Sequence, residues 1–335
     1  MSTTSKSPRR VLLAAHAIGR SALPDHPHRF APKTFTQPQL FACLVLKMRM
    51  KLDYRGITAL LLDAPPLCAA IGLKRVPHFT TLQKAAHRLL RRPTVTRLLT
   101  ATVHRGLGRR RRVETAGADS SGFDLTHASR YYVWRATHMG SPRKRTTYRW
   151  FGKLQLLTDC RRHLILAASV CRGPTPDVHQ LRALMTRCVP GVKMTRLVAD
   201  AGYDSEANHV MLREEKHIRS VIPAKAGRPS IDGKPPSGRW RRVMRRRFNR
   251  RVYRERSQTE TVFSMIKRNF GSTLGARSYW SQQRELLLKV LTHNIGILWR
   301  WIRGFLRSRC VPFLLPVEHS STLRDFLSQL IDTLA

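Results

Sequence analysis

The segment YRERSQTETVFSMIK, residues 253–267, is the stretch around which the chain is organised. If it forms a helix with about 100° per residue, Tyr253, Arg256, Glu260 and Lys267 fall on one polar stripe about 60° wide. At about 1.5 Å rise per residue, the stripe is about 21 Å long. That length suits a phosphate backbone lying along the helix better than a small-molecule pocket. The neighbouring arc carries the residues predicted to be buried: Val252, Val262, Phe263, Ile266 and Phe270.

The same segment has a simpler interpretation as a surface helix. Arg256 and Glu260 are four positions apart, and opposite charges at that spacing pair across one helical turn. Such a pair contributes to helix stability and needs no ligand. The segment alone leaves both interpretations open, and the rest of the chain decides between them.

The charge balance of the chain points to a polyanionic partner. Of the 335 residues, 62 are Lys or Arg and 20 are Asp or Glu, which gives a formal net charge of +42. That much like charge repels itself in a compact protein, and a polyphosphate is its natural counterpart. A basic protein that only binds nucleic acid would share this property. The length predicts two or three domains, and 42% hydrophobic residues can fill their cores.

The cysteines and the apolar runs exclude several other classes. No pair of cysteines has the C-x-x-C spacing, which argues against a zinc ribbon and against a secreted disulfide scaffold. An apolar run at 11–18 is brief and contains His16, so it is a poor signal peptide. Residues 286–306 are rich in Leu and Ile but carry too many polar and charged side chains for a membrane span. We expect a soluble, cytoplasmic protein with no membrane partner.

The first third of the chain is predicted to be helical after a basic start. Residues 1–30 show no clear period, and we interpret them as a flexible basic arm. Residues 31–112 contain several short amphipathic patterns followed by a basic one, which resembles a helix-turn-helix-like DNA-binding region. A helical domain that merely packs on the core is an equal alternative. Four arginines at 109–112 mark the boundary with the next region.

The middle of the chain changes to short apolar strands. Three strands are predicted at 115–119, 151–157 and 163–170, then a helix, a fourth strand at 197–199, another helix and a fifth strand at 220–222. The helix at 253–267 follows. This order is that of a ribonuclease-H-like α/β core, a mixed sheet flanked by helices. We place this catalytic domain at 113–285, with a basic insertion at 224–251, and a helical C-terminal part at 286–335.

Two aspartates lie where apolar strands end. Asp119 follows the first strand in GADSSG, and Asp200 follows the fourth in VADAGYDS. Strands of such a sheet open into a shared crevice at their carboxyl ends, and the small neighbours leave room for a phosphate and metal ions. A single aspartate at such a position is more often a turn former or a helix cap. We assign that structural role to the remaining aspartates of this region: Asp124, Asp159, Asp177 and Asp204.

These motifs carry a family resemblance. The spacing Y-x2-R-x3-E-x6-K, together with the two aspartate motifs, resembles the signature of insertion-sequence DDE transposases, in the group called after insertion sequences four and five. The resemblance covers roughly residues 35–300. It implies that Asp119, Asp200 and Glu260 are the three catalytic carboxylates and metal ligands. It also implies that Tyr253, Arg256 and Lys267 contact DNA phosphates beside the scissile bond.

The resemblance implies a two-metal reaction. Two Mg²⁺ ions, held about 3.5–4 Å apart by oxygen ligands, activate the attacking oxygen and stabilise the leaving one. Asp119 would bridge the ions, while Asp200 and Glu260 would each complete one. Water would first cleave a strand at a transposon end, and the freed 3′-OH would then attack target DNA. Whether Mn²⁺ can substitute for Mg²⁺ is left open by the sequence.

The expected partner is double-stranded DNA, both transposon ends and target, bound by a homodimer in a prokaryotic cytoplasm and nucleoid. Two alternatives remain: a metal-dependent nuclease of the same fold, and a domesticated DNA-binding protein without catalysis. One departure from many relatives is the short spacing of 60 positions between Asp200 and Glu260, which leaves no room for a large inserted domain. Hairpin formation and base flipping are therefore left open.

Overall fold

A computed structural model describes residues 7–126, 151–225 and 238–308 of the chain. The first region consists of six helices that pack around a shared apolar interior. Each of the first two helices begins with a side-chain cap and a proline at its first or second position. Proline is tolerated there because the N–H that it lacks would have no partner within the helix. The bounds are α1 (Pro8–Ala22), α2 (Gln37–Arg49), α3 (Tyr54–Asp63), α4 (Pro65–Ala70), α5 (Phe79–Leu89) and α6 (Arg92–Leu107).

The flexible basic arm predicted for residues 1–30 is wrong for residues 8–22, half of its length. Residues 8–22 form α1, which begins at the cap residue Ser7 and packs closely on α2. Leu12, Ala15 and Ile18 recur at helical spacing and are buried in the core. The arginines and the histidine between them conceal this apolar stripe in the sequence. Residues 1–6 lie outside the described part of the chain.

A mixed sheet follows the helices, as predicted. Its strands are β1 (Arg112–Leu125), β2 (Phe151–Asp159), β3 (Ile165–Gly173), β4 (Lys193–Ala199), β5 (Arg219–Val221) and the short β6 (Thr273–Leu274). The spatial order is β3-β2-β1-β4-β5, and β6 pairs with the far end of β1. β1, β2 and β3 pair antiparallel, whereas β4 and β5 run parallel to β1. Helices flank this sheet, which agrees with the predicted ribonuclease-H-like core.

The helices after β3 include α7 (Leu181–Thr186), α8 (Glu206–Val210), α9 (Arg239–Arg246), α10 (Arg250–Tyr253), α11 (Ser257–Phe270) and α12 (Tyr279–Ser308). The organising segment is not one regular helix. A 3₁₀ turn, Arg254–Arg256, joins α10 to α11 and is wound more tightly than an α-helix. The polar stripe is therefore twisted at its start, and Tyr253 does not lie on the straight line predicted for it.

The longest helix, α12, connects the helical region to the sheet. Asn294 on α12 accepts from Ile165 N at 2.9 Å, and its amide donates to Ile165 O at 2.9 Å and to Thr102 Oγ1 at 3.1 Å. One apolar core runs without a break from α1 to α12. The predicted boundary between 285 and 286 falls inside α12, so it does not separate two structural units. The division into domains stays a prediction.

Two predictions fall on residues outside the described ranges. These are 12 of the 28 residues of the basic insertion, at 226–237, and the end of the predicted C-terminal helical part, at 309–335. Within the described ranges, none of the helices combines the length and the apolar character that a bilayer crossing requires.

Candidate active site

The position of α11 on the sheet is set by one glycine. Thr259, on the buried face of α11, donates to or accepts from Thr158 Oγ1 of β2 at 3.0 Å. A Cβ at Gly117 of β1 would come within 2.0 Å of the Thr259 hydroxyl. Only glycine permits this approach of helix to strand. Because side chains alternate along a strand, Asp119 points to the same face of the sheet as Gly117. The contact therefore brings Glu260, next to Thr259, toward Asp119.

Asp119 lies within β1 and is mostly enclosed. Its side chain is 18% exposed and accepts from the Ser120 backbone N–H at 2.8 Å. Burial raises the pKa of the Asp119 carboxyl to about 6, and the nearby negative charges of Glu260 and Asp200 act in the same direction. The Ser120 N–H and Arg256 oppose this rise in pKa. A carboxyl in such surroundings gains from a cation that neutralises the local negative charge.

Asp200 is adjacent to Asp119 because of strand register. β1 and β4 are parallel neighbours with Ala118 opposite Ala199, so the two aspartates follow paired residues. Parallel strands present successive side chains at the same edge of a sheet. Asp200 is exposed, and its carboxylate accepts from the Ala201 N–H at 2.7 Å, at the start of the 3₁₀ turn Ala201–Tyr203. Its side chain thus also serves as the cap that the alternative interpretation proposed.

Arg256 lies between the carboxylates. Its guanidinium is 2.8 Å from Glu260 Oε1 and 3.7 Å from Asp119 Oδ2. The pair with Glu260 has the four-residue spacing of the simpler surface-helix interpretation, and that pair is present. Arg256 also reaches the strand, however, so the pair is not confined to one helix surface. Glu260 itself is 52% exposed and is open to solvent on the side away from Arg256.

The other two residues of the polar stripe lie at different distances from the carboxylates. The Tyr253 ring packs edge-on against Phe248, with centroids 5.0 Å apart, and Arg256 lies 5.7 Å from its centroid. Partial burial raises the pKa of Tyr253, as do the charges of Asp200 and Glu260. Lys267 is two turns further along α11, with its Nζ 5.2 Å from the Phe123 ring centroid. The structure therefore brings Tyr253 close to the carboxylates and leaves Lys267 apart from them.

A second polar layer behind Asp119 was not predicted. Asp177, interpreted from the sequence as a turn or cap residue, accepts from the Ser120 hydroxyl at 3.1 Å and lies 2.8 Å from Lys153 Nζ. Tyr203 is buried beside this group, and burial, followed by the charges of Asp177 and Asp119, raises the pKa of its phenol. Asp177 thus supports the segment that carries Asp119. Its loop position in the sequence gave no sign of this contact.

Two of the other aspartates have structural surroundings: Asp159 is the turn residue predicted, whereas Asp204 forms a buried ion pair and Ser205 is the helix cap. Asp159 accepts from the backbone N–H groups of Arg161 and Arg162 in the turn between β2 and β3. Asp204 has a fully buried carboxylate that lies 2.8 Å from Arg241 and accepts from the Lys225 N–H. Both carboxylates already have several donors, which leaves them poorly suited to bind a metal ion.

The donor set at the sheet edge suits a hard divalent cation. Asp119, Asp200 and Glu260 supply only carboxylate oxygens, the ligands that Mg²⁺ prefers. Arg256 already places a positive group between two of them. Within the described residues, no three acidic, histidine or cysteine side chains are gathered closely enough to hold a metal ion as they stand. Loading a cation between Asp119 and Glu260 therefore requires the Arg256 guanidinium to move aside.

Comparison with known families identifies the same region. The family described as transposase DDE domain matches residues 117–295, which is more than half of the chain and includes all three carboxylates. The matched region begins at Gly117, where β1 contacts α11, and ends within α12. Comparison with individual curated proteins gives no significant match.

Proposed function

This chain belongs to the family of transposases with a DDE domain, and from that premise we propose that it cleaves DNA strands at transposon ends and joins them to target DNA. The catalytic carboxylates in this proposal are Asp119, Asp200 and Glu260. The narrower assignment to the group called after insertion sequences four and five rests on the Y-x2-R-x3-E-x6-K spacing alone.

One observation carries the proposal. Asp119 and Asp200 follow directly paired residues of adjacent parallel strands, and α11 brings Glu260 to the same place through the Gly117 contact. The Arg256 guanidinium joins Asp119 to Glu260. Three carboxylates around the single guanidinium of Arg256 repel one another, a cost that a purely structural arrangement would avoid. The arrangement is useful if further cations neutralise the carboxylates during the reaction.

We propose two Mg²⁺ ions as the cofactor, held by Asp119, Asp200 and Glu260. When bound, such ions polarise a phosphate and make a water or 3′-OH oxygen nucleophilic. The contribution of the chain is to fix the ligands on a rigid sheet and helix. Asp119 is held by the Ser120 N–H, and Ser120 is held in turn by Asp177. This backing limits the freedom of the Asp119 carboxylate and keeps it aimed at the same point.

Arg256 and its neighbours would bind the substrate. The Arg256 guanidinium, which contacts Glu260 and Asp119 in this structure, would bind a DNA phosphate in two-point fashion if the carboxylates held cations instead. Tyr253 lies beside it and offers a phenolic hydroxyl for a second phosphate. Lys267, two turns along α11, reaches a phosphate further along the same strand. These three residues position the DNA, and the carboxylates act on it.

The DNA partner follows from the same premise and from the net charge of +42. We propose that the helical region at 31–112 contributes to binding of transposon ends. A homodimer on DNA would allow two ends to be held together. Both statements concern regions outside the carboxylate edge, our name for Asp119, Asp200 and Glu260, and need separate tests.

The test uses a labelled duplex carrying the ends of the flanking element, incubated with Mg²⁺ and target DNA. Wild type is compared with Asp119→Asn, Asp200→Asn and Glu260→Gln, each of which keeps the side-chain shape. We expect nicking and joining to fall by at least about 10³-fold in all three variants while DNA binding persists. The matched control is Asp159→Asn, which removes a carboxylate from a turn outside the site.

Other outcomes have distinct meanings. Metal-dependent cleavage without joining would identify a nuclease of the same fold. Tight DNA binding with no cleavage by wild type would identify a binding protein. If wild type is active and the three variants retain that activity, the carboxylates have been assigned wrongly.

A further inference from the structure

A cleft lined by arginines lies on the other side of the start of α11 from the carboxylates. Its volume is about 820 Å³. Two glutamates, Glu114 and Glu255, also line it. The guanidinium groups come from the loop before β1, the turn after β2 and strand β4: Arg109, Arg110, Arg112, Arg161, Arg162 and Arg196. We refer to this surface as the arginine cleft.

Alternation along β1 relates the arginine cleft to the active site. Thr115 lines the cleft, and Gly117 contacts α11. Positions 115, 117 and 119 alternate with their neighbours, so the side chains of Thr115 and Asp119 point to the face of the sheet on which α11 packs at Gly117. The start of α11 therefore crosses β1 between the two sites. At about 3.3 Å per residue, Thr115 is about 13 Å from Asp119 along the strand and Arg112 is about 23 Å away.

The arginines of the cleft differ in whether a carboxylate of the protein pairs with them. Arg196 lies 2.9 Å from Glu114 and 3.5 Å from Glu255, and Arg162 lies 3.0 Å from Asp159. The exposed residues Arg109, Arg110, Arg112 and Arg161 have no carboxylate partner within the described ranges. Because Glu114 and Glu255 pair with Arg196, the other four guanidinium groups leave an excess of positive charge around the cleft, which favours binding of an external anion.

The positive surface continues beyond the cleft. A neighbouring cavity of about 940 Å³, between α6 and the loop before β1, shares Arg109 with it. This cavity adds Arg97, Arg105 and Arg111. The two cavities together form a basic band that is longer than a single phosphate ion requires.

We propose that the arginine cleft binds the phosphate backbone of duplex DNA, at a place separate from the carboxylate edge. An acidic protein is the less suitable occupant, because Leu107 is the only large apolar side chain among the described residues that line the cleft, and protein interfaces depend on apolar and aromatic anchors. A phosphate backbone needs no such anchor and is matched by a row of guanidinium groups. The choice of DNA rests on the proposed function.

Salt-dependent binding tests this proposal. The affinity of the full chain for a generic duplex is measured at several salt concentrations, with EDTA present so that no cleavage occurs. The double variant Arg110→Ala, Arg161→Ala removes two cleft charges outside the strands. Since each phosphate contact contributes about 0.9 to the slope of log affinity against log salt, the slope should fall by about 2.

Two control variants make the result specific. Arg182→Ala with Lys216→Ala removes the same charge from exposed residues that line neither cavity, and its slope should match wild type within about 0.5. Arg110→Lys with Arg161→Lys keeps the charge and should restore the slope. If the cleft variant and the Arg182–Lys216 variant behave alike, the proposal is overturned. Thermal unfolding of each variant checks that a changed slope does not reflect loss of fold.

The stoichiometry then distinguishes the source of the DNA. If the cleft holds a second duplex, wild type binds two short duplexes per chain and the cleft variant binds one. If the cleft holds a distant part of the same duplex that reaches the carboxylates, wild type and the cleft variant each bind one duplex per chain. The difference in slope then appears only with duplexes longer than about 7 base pairs, because that length corresponds to the distance from Asp119 to Arg112. Because EDTA prevents cleavage, this test does not depend on whether the proposed catalysis is correct.

Discussion

Two acidic regions of this chain show opposite uses of a carboxylate. The carboxylate edge, formed by Asp119, Asp200 and Glu260, carries few donors, and one arginine serves two of its members. The second region, which we call the acidic anchor, consists of Asp204, Glu206 and Glu214 and holds helix α9. The two regions are near in sequence, since Asp200 and Asp204 are four positions apart. The difference between them is the number of hydrogen-bond donors that each carboxylate receives.

The acidic anchor receives more donors than the carboxylate edge. Glu206 accepts from the first N–H groups of α9, those of Trp240 at 2.9 Å and Arg241 at 3.0 Å, where a helix favours negative charge. Asp204 receives the Arg241 side chain and the Lys225 N–H. Although burial alone would raise it, the pKa of Asp204 is lowered, because hydrogen bonds from His209, Arg241 and Lys225 outweigh burial. The pKa of Asp119 moves in the opposite direction, to about 6.

The number of donors separates a ligand-binding carboxylate from a structural one. Where the protein supplies enough donors, the charge is stabilised and no further cation is needed. Where it supplies few, the charge remains costly, and a cation or substrate can gain by neutralising it. The following predictions test this distinction in order of decreasing effect.

The largest effect is expected for Asp204→Ala. It leaves the partly buried Arg241 and the buried His209 without their carboxylate, which should lower the free energy of unfolding by about 3–5 kcal/mol. Denaturant unfolding measures the change. Asp200→Ala is the matched control four residues away, and because Asp200 is exposed with one local hydrogen bond, it should cost less than about 1 kcal/mol. Equal losses in the two variants would remove the distinction between the regions.

The pH dependence of stability should have opposite signs at the two regions. With a pKa raised from 3.8 to about 6, Asp119 binds its proton more tightly in the folded state, so its contribution to stability is lost as pH rises from about 4 to 6. Asp119→Asn should abolish this loss, leaving the variant more stable than wild type at pH 7 by up to about 3 kcal/mol. Asp204, whose pKa is lowered, contributes stability above about pH 4 that is lost on acidification.

Unfolding curves from pH 3 to 8 for wild type, Asp119→Asn and Asp204→Asn measure both effects. The difference between wild type and Asp119→Asn should decline toward neutral pH, and that between wild type and Asp204→Asn should grow. If both differences had the same sign of slope, the contrast in pKa between the regions would be wrong.

Gly117→Ala should separate α11 from the sheet. The added methyl group meets the Thr259 hydroxyl and backbone movement is required, so we expect a loss of about 1–3 kcal/mol in stability. Strand cleavage should fall further than stability suggests, because Glu260 is displaced relative to Asp119.

Gly271→Ala is not a matched control, since Gly271 has a positive φ of 86°. Gly275→Ala, with open space around it, is the suitable one. Normal cleavage by Gly117→Ala would show that the contact does not position Glu260.

The smallest effect is expected for Trp240→Phe. The indole N–H donates to Glu214 at 2.7 Å, and Arg213 lies 4.5 Å from the ring centroid. Loss of the hydrogen bond should cost about 1 kcal/mol. DNA affinity should stay the same if the indole serves the acidic anchor. A large loss of affinity at unchanged stability would instead indicate that the Trp240 ring stacks on a base.

Much of the site could be predicted from the sequence because its residues follow local rules. The apolar run before Asp200 identifies the end of β4, and the i,i+4 spacing of Arg256 and Glu260 predicts their pairing. Asp119, predicted to end the first strand, lies instead within β1, which continues to Leu125. The succession of strands and helices predicts a mixed sheet flanked by helices, which the structure contains. Each of these features depends on neighbours within a few residues, so pattern alone is sufficient.

Other features were decided only by tertiary structure. The sequence indicates neither that Gly117 admits Thr259, 142 positions later, nor that Asp177 supports Ser120, 57 positions earlier. It also conceals that residues 8–22 form a buried helix and that arginines from 109–112, 161–162 and 196 surround one cleft. A residue type determines which partners it can accept, but packing determines which partners reach it. That is why Asp200 and Asp204, alike in sequence and four positions apart, differ so completely in their surroundings.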